Sequence, residues 1–352
     1  MYAAGPAAPE SAPPDAAIVK PPAVLFCALL VMIAMSLFGL LVGAVSVPPD
    51  AVWRAIVRAT PDDSTTQLIR EIRAPRVALA VLVGAALSVS GALLQAFFQN
   101  PMAGPYTVGV SAGAGCAVVA VGAIPGLASG LAGGLALRVP AAFVGGLGAV
   151  LVVYALARAV RSVRSEGLLL VGIAVGSVLS SVTSLLLVQA PDGATASLFW
   201  MLGSFGHAKW PSVCLLGVLV LACSAHALWL ARDLNVLLWG DEVAQSLGSP
   251  VRQVQRWTLV HSSLLAAGSV AVAGVIGFVG LMVPHIARSA LRTADHRFVI
   301  PASAMLGGAL VVGADAAARS LLAPQELPVG AITSICGAPF LVFLLTRGRH
   351  SR

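Results

Sequence analysis

Charge is what this sequence has least of. Of 352 residues, 21 are Lys or Arg and 14 are Asp or Glu, 10% in all, against roughly 25% in an ordinary soluble domain. A water-soluble fold of this length cannot cover its surface with so few charges, which excludes a soluble enzyme or binding domain. Cysteine is sparse as well. The five (Cys27, Cys116, Cys214, Cys223, Cys336) stand singly in or beside apolar stretches, so no disulfide framework or metal-ligand spacing is present and they read as small packing residues. No nucleotide-binding loop occurs either. The Gly-rich stretch from Gly104 to Gly115 lacks the Gly-Lys-Ser/Thr ending and a preceding strand, so it cannot cradle ATP. Gly109 and Gly113 are instead spaced to let two membrane helices touch. The six His are isolated along the chain and none stands in a metal-binding or catalytic spacing.

What is there is hydrocarbon. Hydrophobic residues make up 58% of the chain, and they come in continuous runs, not in alternation. In lipid every backbone polar group must be satisfied within its own helix or in a closed barrel, and continuous runs select the helix. Each spanning helix needs about 20 mostly apolar residues. On that rule the sequence predicts an all-α, polytopic membrane protein with ten spans near 23–45, 76–98, 106–123, 139–158, 167–189, 211–231, 257–274, 275–290, 300–322 and 329–346. The seventh and eighth meet around Val272–Phe278 and are individually short, so hydropathy alone also permits nine. The 36 Gly and 22 Pro suit close-packed and broken membrane helices. Residues 1–22, rich in Pro and Ala without apolar periodicity, read as a disordered cytoplasmic tail. A single transmembrane domain follows over 23–346, and 347–352 form a cytoplasmic C-terminal tail.

The formal charge of +7 does not point to nucleic acid, because the basic residues sit in short connections where they set topology. Placing both termini in the cytoplasm puts most Lys and Arg inside, in accord with the positive-inside rule. The exception is the connection between spans one and two, with Arg54, Arg58, Arg70, Arg73 and Arg76. Arg residues near a helix end can simply snorkel to headgroups. On the cytoplasmic side, the segment from Leu234 to Gly248 mixes apolar and acidic residues at helical spacing. Leu237, Val243 and Leu247 are placed to form an apolar patch, with Asp241 and Glu242 in an early turn where acids suit the helix dipole. Gly248 and Pro250 end it. Such an element lies on the bilayer or docks into a partner, and its acids favour a protein partner over anionic lipid.

Ionisable groups within the spans are nearly absent, which speaks against an ion-coupled carrier or a membrane enzyme, the two alternatives from other classes. Asp315 and Arg319 are the exception. Four apart on one predicted helix, they either pair or present Arg319 to an external partner. A permease with no coupling chemistry of its own must draw free energy from another subunit.

Several ordered motifs then carry a family likeness: Arg73-Ala-Pro-Arg76, Val83 to Gln95, Asn100-Pro-Met-Ala-Gly-Pro105, Gly109-Val-Ser-Ala-Gly113, Gly240-Asp-Glu242, Gly277 to Arg288, Asp295-His-Arg297 and Glu326-Leu-Pro-Val-Gly330. From about residue 25 to 346 the chain resembles the FecCD-type permeases, the membrane subunits of type II ABC importers for ferric siderophores, haem and cobalamin. The resemblance implies ten helices per subunit in the bacterial inner membrane and a second permease subunit, most simply a homodimer. It also implies two ABC ATPase subunits that bind ATP and Mg, and a periplasmic substrate-binding protein, with no cofactor in this chain. By the same resemblance Arg73, Arg76 and Arg319 face the periplasm to dock glutamates of the binding protein. Asn100 and Met102 lie at the cytoplasmic gate, where many family members have Leu at the second position. The coupling helices fall at about 237–252, with Gly240, Asp241, Glu242 and Leu247 contacting the ATPase.

Overall fold

The computed structural model describes residues 20–43, 47–57, 64–124, 131–159, 165–189 and 197–348. The helices are α1 (Pro21–Leu41), α2 (Pro49–Val57), α3 (Ser64–Gln67), α4 (Ala74–Phe97), α5 (Val110–Gly122), α6 (Leu131–Ala159) and α7 (Ser165–Gln189). They continue with α8 (Trp210–Trp229), α9 (Ala231–Leu237), α10 (Asp241–Ser246), α11 (Val251–Ala273), α12 (Val279–Leu291), α13 (His296–Ser320) and α14 (Val329–Gly348). No strand occurs among the described residues. The expected tails at 1–22 and 347–352 fall largely outside the described residues, since Pro21 already opens α1 and α14 runs to Gly348.

Each of the ten expected spans coincides with one helix. Among the described residues, six are long and apolar enough to cross a membrane by length and composition, ending in or comprising α1, α4, α6, α7, α8 and α13. The short members have a physical cause. α5 and α12 are 13 residues each, about 20 Å at 1.5 Å rise, less than the roughly 30 Å of hydrocarbon. Both follow irregular backbone, and irregular backbone at membrane depth needs protein partners.

α4 is the column around which the rest is arranged. Its stretch is 83% buried, whereas the apolar windows of α1 and α7 are each 11% buried. A six-residue π-helical stretch, Leu68–Arg73, leads into it, and Pro75 sits in its first turn, where a missing N–H costs nothing. α13, α11, α12 and α8 all pack on α4. The approach of α12 is backbone to backbone: a methyl at Gly91 would overlap the Gly280 carbonyl, so only glycine lets these helices come so close.

The chain between α11 and α12 leaves helical geometry at Gly274 and re-enters it at Phe278, both with positive φ. This resolves the short seventh and eighth spans as two helices with a break between them. One side chain repairs that break. The Tyr106 hydroxyl donates to the Ile276 carbonyl at 2.9 Å and accepts from the Ile276 N–H at 3.2 Å. Tyr106→Phe therefore strands a donor and an acceptor together, a loss of about 1–3 kcal/mol per unmet group. The expected result is a clear fall in the unfolding midpoint of the detergent-solubilised protein; an unchanged midpoint would contradict this account of the break.

Candidate functional site

Polar side chains gather at the two ends of the bundle. At one end lie the C-terminus of α1, the start of α4, the C-terminus of α13 and the loop to α14. The last carbonyls of any helix lack intrahelical partners. Those of α1 are met by two arginines: Arg73 Nη1 donates to the Leu40 and Leu41 carbonyls at 2.7 and 3.0 Å, and Arg319 donates to Val42 and Gly39 at 2.7 and 3.0 Å. Cations also complement the negative end of the helix dipole. Asp315, only 1% exposed, ties the group together. It pairs with Arg319 Nε at 3.0 Å, four residues along α13, and with Arg76 at 2.9 Å. Arg76 turns its other edge to Glu326, with both Nη atoms 2.9 Å from the two carboxylate oxygens.

All three expected arginines thus meet at one end of the molecule, yet Arg73, Arg76 and Arg319 are 5%, 7% and 5% exposed. In this conformation their guanidinium groups serve α1, Asp315 and Glu326. Of the two roles open to Arg319, pairing with Asp315 is the one formed. Glu326 is half-exposed, and its bond to Arg76 holds its carboxyl below the usual range. Sequence reasoning noted its motif but not its partner, which is 250 residues away.

At the opposite end the chain leaves α4 through Gln99, with φ 49°, and Asn100. Asn100 Oδ1 accepts from the Met102 N–H at 2.8 Å, a tight turn that Pro101 favours. Gln99 Nε2 donates to the Leu237 carbonyl at 3.0 Å, so the turn is bonded directly to the last residue of α9. The expected single amphipathic segment is in fact two short helices, because Gly240 at φ 100° breaks it between α9 and α10, a backbone angle that glycine adopts without strain. The break corrects one expectation: Leu237 belongs to α9 and is buried at 1%. The exposed apolar surface is made by Leu238, Trp239, Val243 and Leu247, with Trp239 77% exposed. Asp241 and Glu242 open α10, and Asp241 accepts from Gln255 of α11 at 3.0 Å. Asp295 caps α13, bonds Asn235 at 2.7 Å and pairs with Arg297, which draws its carboxyl down to about 2.

Two histidines that look unrelated in sequence also meet. His226 Nδ1 lies 3.0 Å from His261 Nε2, between Trp229 and Trp257. No run of residues signals this, since the two positions sit on α8 and α11. Along the side of the bundle, α5 and α7 border an open groove of about 500 Å³ whose lining includes Thr107, Ser111, Ser177 and Ser180. Among the described residues no group of three His, Cys, Asp or Glu is placed to hold a metal ion.

A helical bundle with a broken, glycine-packed interior and its charges gathered at its ends is consistent with a polytopic membrane permease. The chain belongs to the FecCD transport family, whose profile matches residues 29–347. It is 36% identical over 337 residues to the hemin transport system permease protein HmuU of Yersinia pestis, covering 95% of this chain and 98% of that one. It is 42% identical over 286 residues to the cobalamin import system permease protein BtuC of Halobacterium salinarum, covering 81% and 74%. A solved structure described as an inward-facing conformation of a metal-chelate type ABC transporter superposes with a TM-score of 0.80 at 28% identity, covering 93% of this chain and 99% of that one. The protein is accordingly a permease subunit of the ABC-importer class.

The buried ion pairs make a sharp prediction. Removing one partner of a buried pair typically costs about 3–5 kcal/mol, because a charge is left without compensation. Asp315→Asn, which removes the buried carboxylate shared by Arg76 and Arg319, should lower the unfolding midpoint far more than Glu326→Gln, whose carboxylate is half in water; equal effects would contradict the network described here.

Proposed function

We propose that this chain is the translocation subunit of an ATP-driven importer that moves a metal chelate from periplasm to cytoplasm, with a ferric siderophore ahead of haem and cobalamin as cargo. Relatives named for haem and cobalamin support the chelate class, and the Fe(3+) dicitrate permease FecD of Escherichia coli, 35% identical over 328 residues, supports the ferric preference. The arginine end then faces the periplasm and the Asn100 end faces the cytoplasm, with both termini inside. This orientation follows the excess of Lys and Arg on the Asn100 side. The working unit is two copies of this chain with two ABC ATPase subunits, which bind ATP and Mg, and a periplasmic binding protein.

One observation carries the reading: the Gln99–Leu237 bond. It joins the turn at Asn100 and Met102, the cytoplasmic gate, to the segment that bears Gly240, Asp241, Glu242 and Leu247, the ATPase contact. A partner that grips α10 and pulls on nucleotide binding moves Leu237, and with it the turn that ends α4. The exposed Trp239, Val243 and Leu247 provide an apolar anchor of the kind that dominates interfaces, with two acids at its rim. The weakly buried α7 and its line of exposed Ser177, Ser181 and Ser184 hydroxyls supply a wettable wall for the pathway against the second copy.

At the periplasmic end, Arg73, Arg76 and Arg319 dock the binding protein. Because these groups are already paired, docking by a partner carboxylate proceeds by exchange: Glu326 gives up its place on the outer edge of Arg76. Electrostatic complementarity of this kind sets orientation and on-rate more than affinity and is weakened by salt.

The ATPase contact is open to direct test. Leu247→Asp together with Trp239→Ala should weaken binding of the cognate ATPase at least tenfold, about 1.4 kcal/mol, while membrane insertion and the unfolding midpoint stay unchanged. Wild-type association and wild-type transport-linked hydrolysis in that variant would refute the assignment.

A further inference from the structure

A second feature of the Asn100 end has no part in the docking just described. Between α4, the turn after α9, α12 and the start of α13 lies a cavity of about 170 Å³, lined by Gln95, Gln99, Asn100, Leu238, Arg288 and His296 among others. Arg288 is its only full charge. The carboxylate nearest in sequence, Asp295, is paired with Arg297 and bonded to Asn235, and among the described residues no acid forms a salt bridge with Arg288. A guanidinium has five N–H donors; here one is spent on Gln95 Oε1, and the other four have no protein partner among the described residues. Gln95 cannot turn away, because its own Nε2 donates to the Leu281 carbonyl at 3.0 Å. The guanidinium is therefore held in place without being neutralised. Asn100 adds a donor: its Oδ1 is fixed by the Met102 N–H, which leaves its Nδ2 without a protein partner among the described residues.

We propose that this cavity binds a single oxyanion group, a carboxylate or a phosphate, through Arg288 and Asn100. A planar fork of donors matches the oxygens of either anion, and such charge-assisted bonds are strong when partly shielded from water. Size limits the ligand. An apolar cavity of about 150 Å³ holds one benzene, so this one takes a phosphate or one anionic arm of a larger molecule but not a whole chelate. Two sources supply that chemistry, the anionic arm of a chelate leaving the pathway and free phosphate in the cytoplasm; the first rests on the importer reading and the second does not. An anion here touches the end of α4, the residue following α9, and α12 at once. It thereby links the gate to the ATPase-facing segment.

The test uses the purified full chain in lipid nanodiscs, without ATPase or binding protein, so that its outcome is separate from that of the transport reading. Unfolding midpoints are measured against sodium phosphate, sodium acetate or sodium citrate at constant ionic strength, with chloride as reference. A ligand that binds only the folded state raises the midpoint in proportion to the logarithm of its concentration above its dissociation constant. The expected result is such a rise in the wild type, weakened in Arg288→Lys, which keeps the charge but loses the fork, and absent in Arg288→Gln. Protein-induced broadening of the inorganic phosphate ³¹P resonance should follow the same order. Ala294→Phe, at the exposed rim, should also abolish the rise while leaving the Arg288–Gln95 bond, which keeps the test valid if Arg288→Gln does not fold. A rise with phosphate alone assigns the site to free phosphate, and a rise with the carboxylates alone assigns it to a chelate arm. No rise with any of the three anions, or an equal rise in wild type, Arg288→Lys and Ala294→Phe, overturns the proposal.

Discussion

In hydrocarbon a backbone N–H or C=O that leaves helical geometry has no water to turn to, and the architecture follows from how this chain meets that demand. Among the described residues, three places where helical geometry ends are closed by named groups. The Tyr106 hydroxyl takes both backbone atoms of Ile276, Arg73 and Arg319 take the terminal carbonyls of α1, and Asn100 closes the turn after α4. Glycine contacts such as Gly91 against Gly280 bring α4 and α12 together backbone to backbone. The central position of α4 is a consequence: its small residues allow four helices to share it.

The same demand explains where charge is found. A buried charge survives only with partners, and Asp315 has two, Arg76 and Arg319. The result is a rigid cap at one end of the bundle, near-neutral within itself, in which Glu326 is the carboxylate most open to exchange. At the other end the polar groups are arranged differently. Gln99, Asn100 and Arg288 keep unused bonding capacity beside a segment whose apolar surface is exposed. One end is closed by mutually paired charges, and the other keeps donors and apolar surface uncommitted.

Much of this was legible in the sequence, for reasons that can be given residue by residue. Apolar runs located the spans because hydrophobic length is a local property, but around Val272–Phe278 hydropathy alone also permitted nine, and the family resemblance pointed to ten. The cluster of Arg73, Arg76 and Arg319 at one end was also foreseen, but not its burial, because burial depends on where α1 ends and on Glu326, 250 residues from Arg76. The helical character of the segment was legible, while Leu237 was assigned to the wrong surface. Helical periodicity was extended through Gly240, whose positive φ resets the register. The His226–His261 contact had no local signal at all. What failed to show was in each case a pairing between distant elements or a break in periodicity.

The central claim is that this polypeptide is a conduit worked by other subunits, since the buried acid described in its spans, Asp315, is committed to Arg76 and Arg319. Its most direct test is uptake of a radiolabelled ferric siderophore into proteoliposomes holding the permease with its cognate ATPase, with the binding protein outside and the energy source varied. The account predicts uptake with ATP and Mg enclosed on the ATPase side and none with a proton or sodium gradient alone. Gradient-driven uptake by the permease without the ATPase would contradict it.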